Sequence, residues 1–185
     1  FLTPHYGQGF WALRYLNECK KQPVAWLYAP AASNKKLGNF VQSIINQKRL
    51  LQIESLCSSI AIATGGSVAA MQQRLCQQKM PVLAMPHAPP VAGQSTIEVN
   101  FLGKQARLPA GVFALAERER IPVYVYTILL DRKSDKRRMS VHGPFYNLPK
   151  ESLAQVFADI LQDAITEDPC AWHVWPYIER FMPPS

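Results

Sequence analysis

Residues 1–11, FLTPHYGQGFW, carry the clearest indication of the fold. A short apolar run ends in Thr-Pro, a histidine and two spaced glycines follow, and an apolar segment then begins. This order predicts a strand that ends at His5, then a turn and a helix. Ligands bind at the carboxyl ends of strands in open α/β sheets, so His5 lies where a side chain can meet a substrate. A histidine there can act as a general base at neutral pH, or it can simply cap a turn.

The rest of the chain repeats this alternation. Short apolar runs bounded by prolines predict buried strands at residues 23–28, 80–85 and 122–130, with helix-length segments between them. The pattern indicates an α/β protein. We expect a single domain over residues 1–185, with a mixed, mainly parallel sheet and helices on both faces. The positions expected to be buried in adjacent strands of one sheet are Val24, Trp26, Leu83, Val123 and Val125.

Composition narrows the class of protein. The chain has 185 residues, of which 48% are hydrophobic, and this indicates a globular domain with a substantial core. A net charge of +7 favours nucleic acid, an anionic membrane or an acidic protein as partner. No apolar run approaches the roughly 20 residues that cross a bilayer. The four cysteines are far apart, without ligand spacing, so we expect neither a zinc site nor a disulfide framework.

Three further histidines are candidates for site residues. His87 follows the predicted strand at residues 80–85, so His5 and His87 could share one sheet edge, depending on the strand order. His142 lies inside a predicted strand, where solvent or a side-chain bond explains it. His173 stands between two tryptophans and is interpreted as part of a packed aromatic tail.

Two other segments predict helix starts. Ser33 is placed to cap a helix with a periodic apolar face that includes Ile44 and Ile45. The sequence Gly65-Gly66-Ser67 is only weakly similar to a phosphate-binding turn, because it lacks the lysine of a P-loop and the spacing of a dinucleotide fingerprint. A helix start is therefore the better interpretation.

A basic cluster lies at residues 131–138. Its cations are expected at the tip of a charged hairpin, and they are Arg132, Lys133, Lys136, Arg137 and Arg138. Such a cluster is usually a solvated hairpin tip, but it can also dock acidic lipid or a carrier protein.

The chain resembles a known family. The segment TPHYG at residues 3–7, followed by NFLGKQARLPAG at residues 100–111, is similar to the lipid A biosynthesis lauroyl/myristoyl acyltransferases of the lysophospholipid acyltransferase superfamily. The strand at residues 122–126 and the tail DPCAWHVW at residues 168–175 match further family segments in order. Family members carry a preceding part with a membrane-associated helix. We therefore expect this chain to be the end of a longer polypeptide.

The resemblance implies an activity. A fatty acyl group would pass from a thioester of acyl carrier protein or coenzyme A to a hydroxyl of a lipid or glycolipid, with His5 as the general base. Gln8, His87 and Arg107 are expected to bind substrate, and an apolar groove is expected near His5. No metal, cofactor or nucleic acid is implied. The expected location is the cytoplasmic face of the inner membrane, where the protein is peripheral or anchored by the preceding segment.

One position departs from the family pattern. The family's histidine is followed, after four residues, by an Asp or Glu that orients the imidazole, and here that position is Phe10. Loss of the equivalent acid from a serine-protease triad lowers the rate by about 10⁴. Gln8 or His87 could supply the polar partner instead, or the activated thioester could tolerate the loss. Alternatively, the protein is a degenerate homologue that binds an acyl chain, lipid or carrier without turnover, or it performs a different transferase reaction on the same fold.

Overall fold

A computed structural model describes residues 1–28, 44–45, 47–48, 50–55, 61–63, 68–87, 90 and 93–182. The chain divides into two compact units, one formed by Phe10–Leu83 and the other by Phe1–Gly9 with Ala84–Ser185. Both units combine helices and strands, which confirms the α/β class. The single domain over residues 1–185 stays a prediction, and each unit is described below by itself.

The unit Phe10–Leu83 contains a parallel sheet. Helix α1 covers Trp11–Glu18 and leads to the central strand β1, Ala25–Tyr28. This strand pairs in parallel with β2 (Ala61–Ala63) and β3 (Val82–Leu83), in the order β2-β1-β3. A central parallel strand is apolar along its length because both of its faces are covered, and the run at residues 23–28 has this character.

The same unit contains further helical segments. The described residues between 44 and 55 are helical, as the periodic pattern around Ile44 and Ile45 predicts, but both of these side chains are exposed. Helix α2 covers Val68–Gln72 and continues as one π-helical turn, Gln73–Gln77. The predicted cap at Ser33 and the predicted helix start at Gly65-Gly66-Ser67 lie outside the described residues.

In the other unit, the first residues form a short parallel segment. Leu2 makes isolated parallel bridges to Ala84 on one side and to Val125 on the other. Its backbone N–H donates to the Tyr124 carbonyl at 2.8 Å, and the Thr3 N–H donates to the Ala84 carbonyl at 3.0 Å. The pairing stops after Thr3, because proline at the next position has no N–H to donate. His5 therefore follows the carboxyl end of this segment.

Two antiparallel hairpins complete the strands. Strand β4 (Thr96–Phe101) pairs with β5 (Lys104–Pro109), and β6 (Val123–Asp131) pairs with β7 (Lys136–Phe145). The first hairpin alternates as its sequence predicts, with Ile97, Val99 and Phe101 buried. The second hairpin turns at the basic cluster, as predicted.

Two helices and the chain end pack on these strands. Helix α3 covers Gly111–Arg118, and α4 covers Lys150–Glu167 with one continuous buried face. Glutamine side chains of α4 bind the backbone of the first hairpin, since Gln155 accepts from the Asn100 N–H at 2.9 Å. The aromatic tail forms two short 3₁₀ turns, Pro169–Ala171 and Trp175–Arg180.

The predicted core positions are buried, but they are divided between sheets. Each of the five is at most 6% exposed. Trp26 and Leu83 pair in the parallel sheet, whereas Val123 and Val125 belong to the antiparallel pair β6-β7. Their placement in one sheet was wrong. The segment that bridges Ala84 and Val125 is too short to form a full ladder, because Pro4 interrupts it.

Candidate functional site

The backbone brings two predicted histidines together. Leu2 and Ala84 run in parallel, and a histidine follows each of them by three residues. His5 and His87 therefore leave the same edge, as the predicted strand ends suggested. His87 is 1% exposed, whereas His5 is only partly buried.

The two imidazoles are in direct contact. Nδ1 of His5 lies 3.0 Å from Nε2 of His87, and the ring centroids are 4.5 Å apart. The backbone N–H of His5 also donates to Nε2 of His87 at 2.8 Å. The position expected to bind substrate, His87, thus contacts the expected base itself.

Burial keeps both histidines uncharged at neutral pH. Desolvation, and then the nearby charge of His173, lowers the pKa of His5 to about 4. Desolvation also holds the pKa of His87 well below its usual value, with smaller effects from His5 and His173. A carboxylate partner would stabilise the imidazolium of His5 and raise its pKa. No such effect acts on His5 among the described residues.

The loop that carries His5 is fixed by backbone hydrogen bonds. The Gly7 N–H donates to the Ala171 carbonyl at 2.8 Å, and the Gln8 N–H donates to the Ile128 carbonyl at 3.1 Å. These two amides are already engaged, so they do not serve as donors to an oxyanion. The Tyr6 hydroxyl donates to the Ala164 carbonyl at 2.5 Å, and burial raises its pKa to about 12. These hydrogen bonds fix the loop that carries His5 to the surrounding chain.

Tyr126 also supports the loop, although nothing in the sequence distinguishes it from a core residue. Its hydroxyl donates to the Gly9 carbonyl at 3.0 Å, and its side chain is fully buried. Burial raises the pKa of Tyr126. Gly9 packs so close to Thr3 that an added Cβ would lie 2.9 Å from the Thr3 hydroxyl oxygen. A tyrosine in a continuous apolar strand run looks like core, and only its tertiary contact shows the second role.

His173 is a neighbour of His5 that sequence reasoning assigned to the packed tail alone. Its backbone N–H donates to the His5 carbonyl at 2.9 Å, and its side chain is exposed. The tail also pairs with the loop through the antiparallel bridge between Tyr6 and Trp172. The interpretation as a docked tail is consistent with these contacts, but the tail lies directly beside the candidate base.

An apolar cavity lies on the other side of His87. Its volume is about 10 Å³, and its lining includes Phe157, Trp172 and Phe181. Phe181 stacks on His87, with an angle of 12° between the ring planes. The space is close to that of a single water molecule. The apolar groove expected near His5 stays a prediction, because this cavity does not admit an acyl chain as it stands.

The other predicted substrate-binding residues are engaged elsewhere. The Gln8 side chain is exposed, and its carbonyl accepts a hydrogen bond from Nε of Arg137. Arg107 lies on the outer face of β5 and pairs with Glu98 at 3.2 Å. Neither side chain hydrogen-bonds to His5 or His87 in the described structure.

Phe10 stands at the position where the sequence resemblance leads us to expect an acid. It belongs to the unit Phe10–Leu83, in which it immediately precedes α1. Its ring packs edge-on against Trp26, with centroids 5.5 Å apart. Phe10 is thus an apolar packing residue within its own unit.

The described residues show no metal centre and no membrane-spanning helix. Within that part of the chain, no group of three or more His, Cys, Asp or Glu side chains could hold a metal ion. Cys19, Cys76 and Cys170 form no disulfide, and Cys57 lies outside the described residues. None of the described helices is both long and apolar enough to cross a bilayer. The expected absence of a metal and a cofactor stays a prediction.

The basic hairpin borders a polar cleft. The cleft has a volume of about 360 Å³, and its lining includes Arg132, Arg138, Glu167 and Asp168. Arg138 pairs with Glu167, and Arg132 lies 3.9 Å from Asp168. Part of the positive charge is therefore balanced within the molecule, while Lys133 and Lys136 remain exposed.

Two comparisons of the sequence with known proteins found no match. No protein-family model matches the chain. No curated protein sequence matches it either. The resemblance of the sequence motifs to the acyltransferases therefore supports a proposal and no assignment of family.

Proposed function

We propose that this protein is an O-acyltransferase that moves a fatty acyl group from a thioester to a hydroxyl of a lipid or glycolipid. The observation that carries the proposal is the pairing of His5 with His87 at one edge of the fold. A neutral histidine, held through its Nδ1 side, is the arrangement that a general base needs. The similarity of residues 3–7 and 100–111 to the acyltransferase motifs gives the reaction class.

The chemistry requires one proton transfer from the acceptor. Nε2 of His5 takes the proton of the acceptor hydroxyl while the hydroxyl oxygen attacks the thioester carbonyl carbon. Collapse of the tetrahedral intermediate breaks the carbon–sulfur bond, and the thiolate takes the proton back from His5. The products are an ester and a free thiol, and no redox or metal step is needed for this balance.

The partners follow from the same proposal. The donor is acyl carrier protein or coenzyme A carrying the acyl group, and the acceptor lies in a membrane. The exposed Lys133 and Lys136 on the hairpin, with a net charge of +7, support contact with an anionic surface. We place the protein at the cytoplasmic face of the inner membrane, peripheral or anchored by a preceding segment.

A second function is favoured by two observations. Phe10 stands where the family has an acid, and the cavity beside His87 is about 10 Å³. Pockets for small molecules usually measure about 300–1,000 Å³. A degenerate homologue that binds a lipid or a carrier protein without turnover would tolerate both features.

The change His5→Ala tests the proposed enzyme. We expect acyl transfer to fall by roughly 10² to 10⁴, because that is the usual contribution of a general base. The fold should stay intact, since His5 is partly exposed at a strand end. The measurement is transfer from a labelled acyl thioester to membrane lipid with the full-length protein, and His142→Ala on the exposed face of β7 is the matched control. Equal rates for native protein and His5→Ala would refute His5 as the base.

Phe10→Glu separates the two functions. It restores the carboxylate at the family's position. If the native protein shows no turnover and Phe10→Glu gains some, the protein is a degenerate relative. If the native protein turns over and His5→Ala does not, the enzyme works without the family's acid.

A further inference from the structure

His87 occupies the place beside His5 that an orienting group would need, and its chemistry there is unusual. In a histidine–carboxylate pair the partner is an anion that both orients the base and stabilises its positive form. His87 can be only neutral or cationic. The cation is disfavoured because His87 is fully buried and faces two other histidines, His5 and His173.

The hydrogen bonds define the position of each proton. Nε2 of His87 accepts the backbone N–H of His5, so this nitrogen carries a lone pair and no proton. The neutral His87 ring therefore has its proton on Nδ1, a buried atom with no hydrogen-bond partner among the described residues. Nδ1 of His5 faces the same lone pair at 3.0 Å, and it must donate a proton to be stable there. The remaining nitrogen of His5, Nε2, is then the basic one.

We propose that His87 is a positioning residue that replaces the acid of the family with a neutral hydrogen-bond acceptor, and so holds His5 in the Nδ1–H form. This inference rests on the proposed function for its role in catalysis, but the proton positions are a property of the free protein. His87 does not relay the proton further. Transfer to its Nε2 would put a positive charge on the more buried of the two rings.

A neutral His87 and an acid at the same place would have different effects on the pH dependence of kcat/KM. An acid would raise the pKa of His5, whereas a neutral acceptor leaves burial and His173 to lower it. The groups that act on His5 are His87 through the hydrogen bond and His173 through its charge. We therefore expect the acid limb of kcat/KM to lie near pH 4 rather than near pH 6.5.

The first measurement is ¹⁵N NMR of the histidine rings in the free, full-length protein. The native protein should show His5 in the Nδ1–H form. His87→Phe keeps an aromatic ring against Phe157 and Phe181 but removes the acceptor, so it should lose that preference. His87→Gln keeps an acceptor oxygen and should restore it. An Nε2–H form in the native protein, or an unchanged preference in His87→Phe, would overturn the proposal whether or not the protein turns over.

The second measurement is the pH profile of acyl transfer. His87→Phe should lower kcat by roughly 10- to 100-fold with little change in KM, a part of the 10² to 10⁴ that a general base supplies. His87→Asp should move the acid limb upward by at least about 1 pH unit, since an adjacent anion raises a histidine pKa by about 1–3 units. An unmoved limb in His87→Asp would contradict the proposal. If the NMR results are as expected and the native protein shows no transfer, the proposed function fails while the positioning of His5 stands.

Discussion

At the scale of single residues, the candidate site is defined by two uncharged histidines, of which His87 is buried and His5 is partly buried. A general base with a low pKa is weak, but it is deprotonated over a wide pH range. In its proposed role His5 would be a base of this kind, because burial and then the charge of His173 lower its pKa and no carboxylate raises it. This burial lowers stability at acid pH, since the folded protein keeps His5 and His87 unprotonated.

The free energy of unfolding should therefore depend on pH through His5. Its pKa is about 4 in the folded protein and about 6.5 in the unfolded chain. Between these values the unfolded chain binds more protons, so stability rises with pH and is lost as the pH falls from 6.5 towards 4. For His5 alone, the loss from pH 7 to pH 5 is on the order of 2 kcal/mol.

Urea unfolding at pH 7 and pH 5 measures this loss. His5→Gln should remove the part that His5 contributes, so its stability should change less between the two pH values than that of the native protein. The matched control is His142→Gln, which changes an exposed histidine of β7 and should keep the native pH dependence. The same loss in His5→Gln as in the native protein would show that His5 is not kept neutral by folding.

At the scale of elements, the packing of the loop over residues 5–9 determines where His5 lies. Gly7 has φ of +57°, and a Cβ there would lie 1.9 Å from the Ile128 carbonyl oxygen. The backbone at Gly7 therefore lies so close to β6 that a residue with a Cβ does not fit there. Replacement of Gly7 must either break this approach or move the strand.

Gly7→Ala should destabilise the protein by more than about 3 kcal/mol. The left-handed backbone alone costs about 1–2 kcal/mol for alanine, and the clash with backbone adds to it. Gly103→Ala is the matched control, because Gly103 has φ of +74° but no atom within 4 Å of the added Cβ. Denaturant midpoints of the two variants give the comparison. Equal losses would mean that the close contact with Ile128 is not present in solution.

The sequence predicted some parts of this arrangement and left others open for physical reasons. His5 and His87 both follow short apolar runs. The sequence therefore predicted that they share an edge if these two runs pair in parallel, and the runs do so through Leu2 and Ala84. Arg107 alternates with buried Ala106 and Leu108, so the sequence pattern already indicates that it faces outward, and its contact with substrate stays a prediction. The contact of Gln8 with Arg137 and the support from Tyr126 were not predictable, because they depend on tertiary packing of a loop.

At the scale of the whole molecule, the excess of positive charge supports the proposed membrane contact. The chain has 20 Lys and Arg residues against 13 Asp and Glu residues. Net charge alone attracts any anionic surface, so only the position of the charge can identify a docking face. Arg137 and Arg138 contact Gln8 and Glu167, and their reversal would also break these bonds. Lys133 and Lys136 are the cleaner probes of the hairpin.

The double variant Lys133→Glu, Lys136→Glu should weaken binding to vesicles of phosphatidylglycerol and phosphatidylcholine. Each lysine near an anionic surface contributes about 1 kcal/mol, so loss of two lowers affinity by about 30-fold, and reversal lowers it further. The matched control, Lys20→Glu with Lys21→Glu, makes the same change in net charge at exposed positions after α1. Vesicle sedimentation at low salt measures both variants, and the difference between them should shrink as salt screens the charges. If the two double variants lose affinity equally, the attraction belongs to the net charge of the molecule, and the hairpin is a solvated tip rather than a docking face.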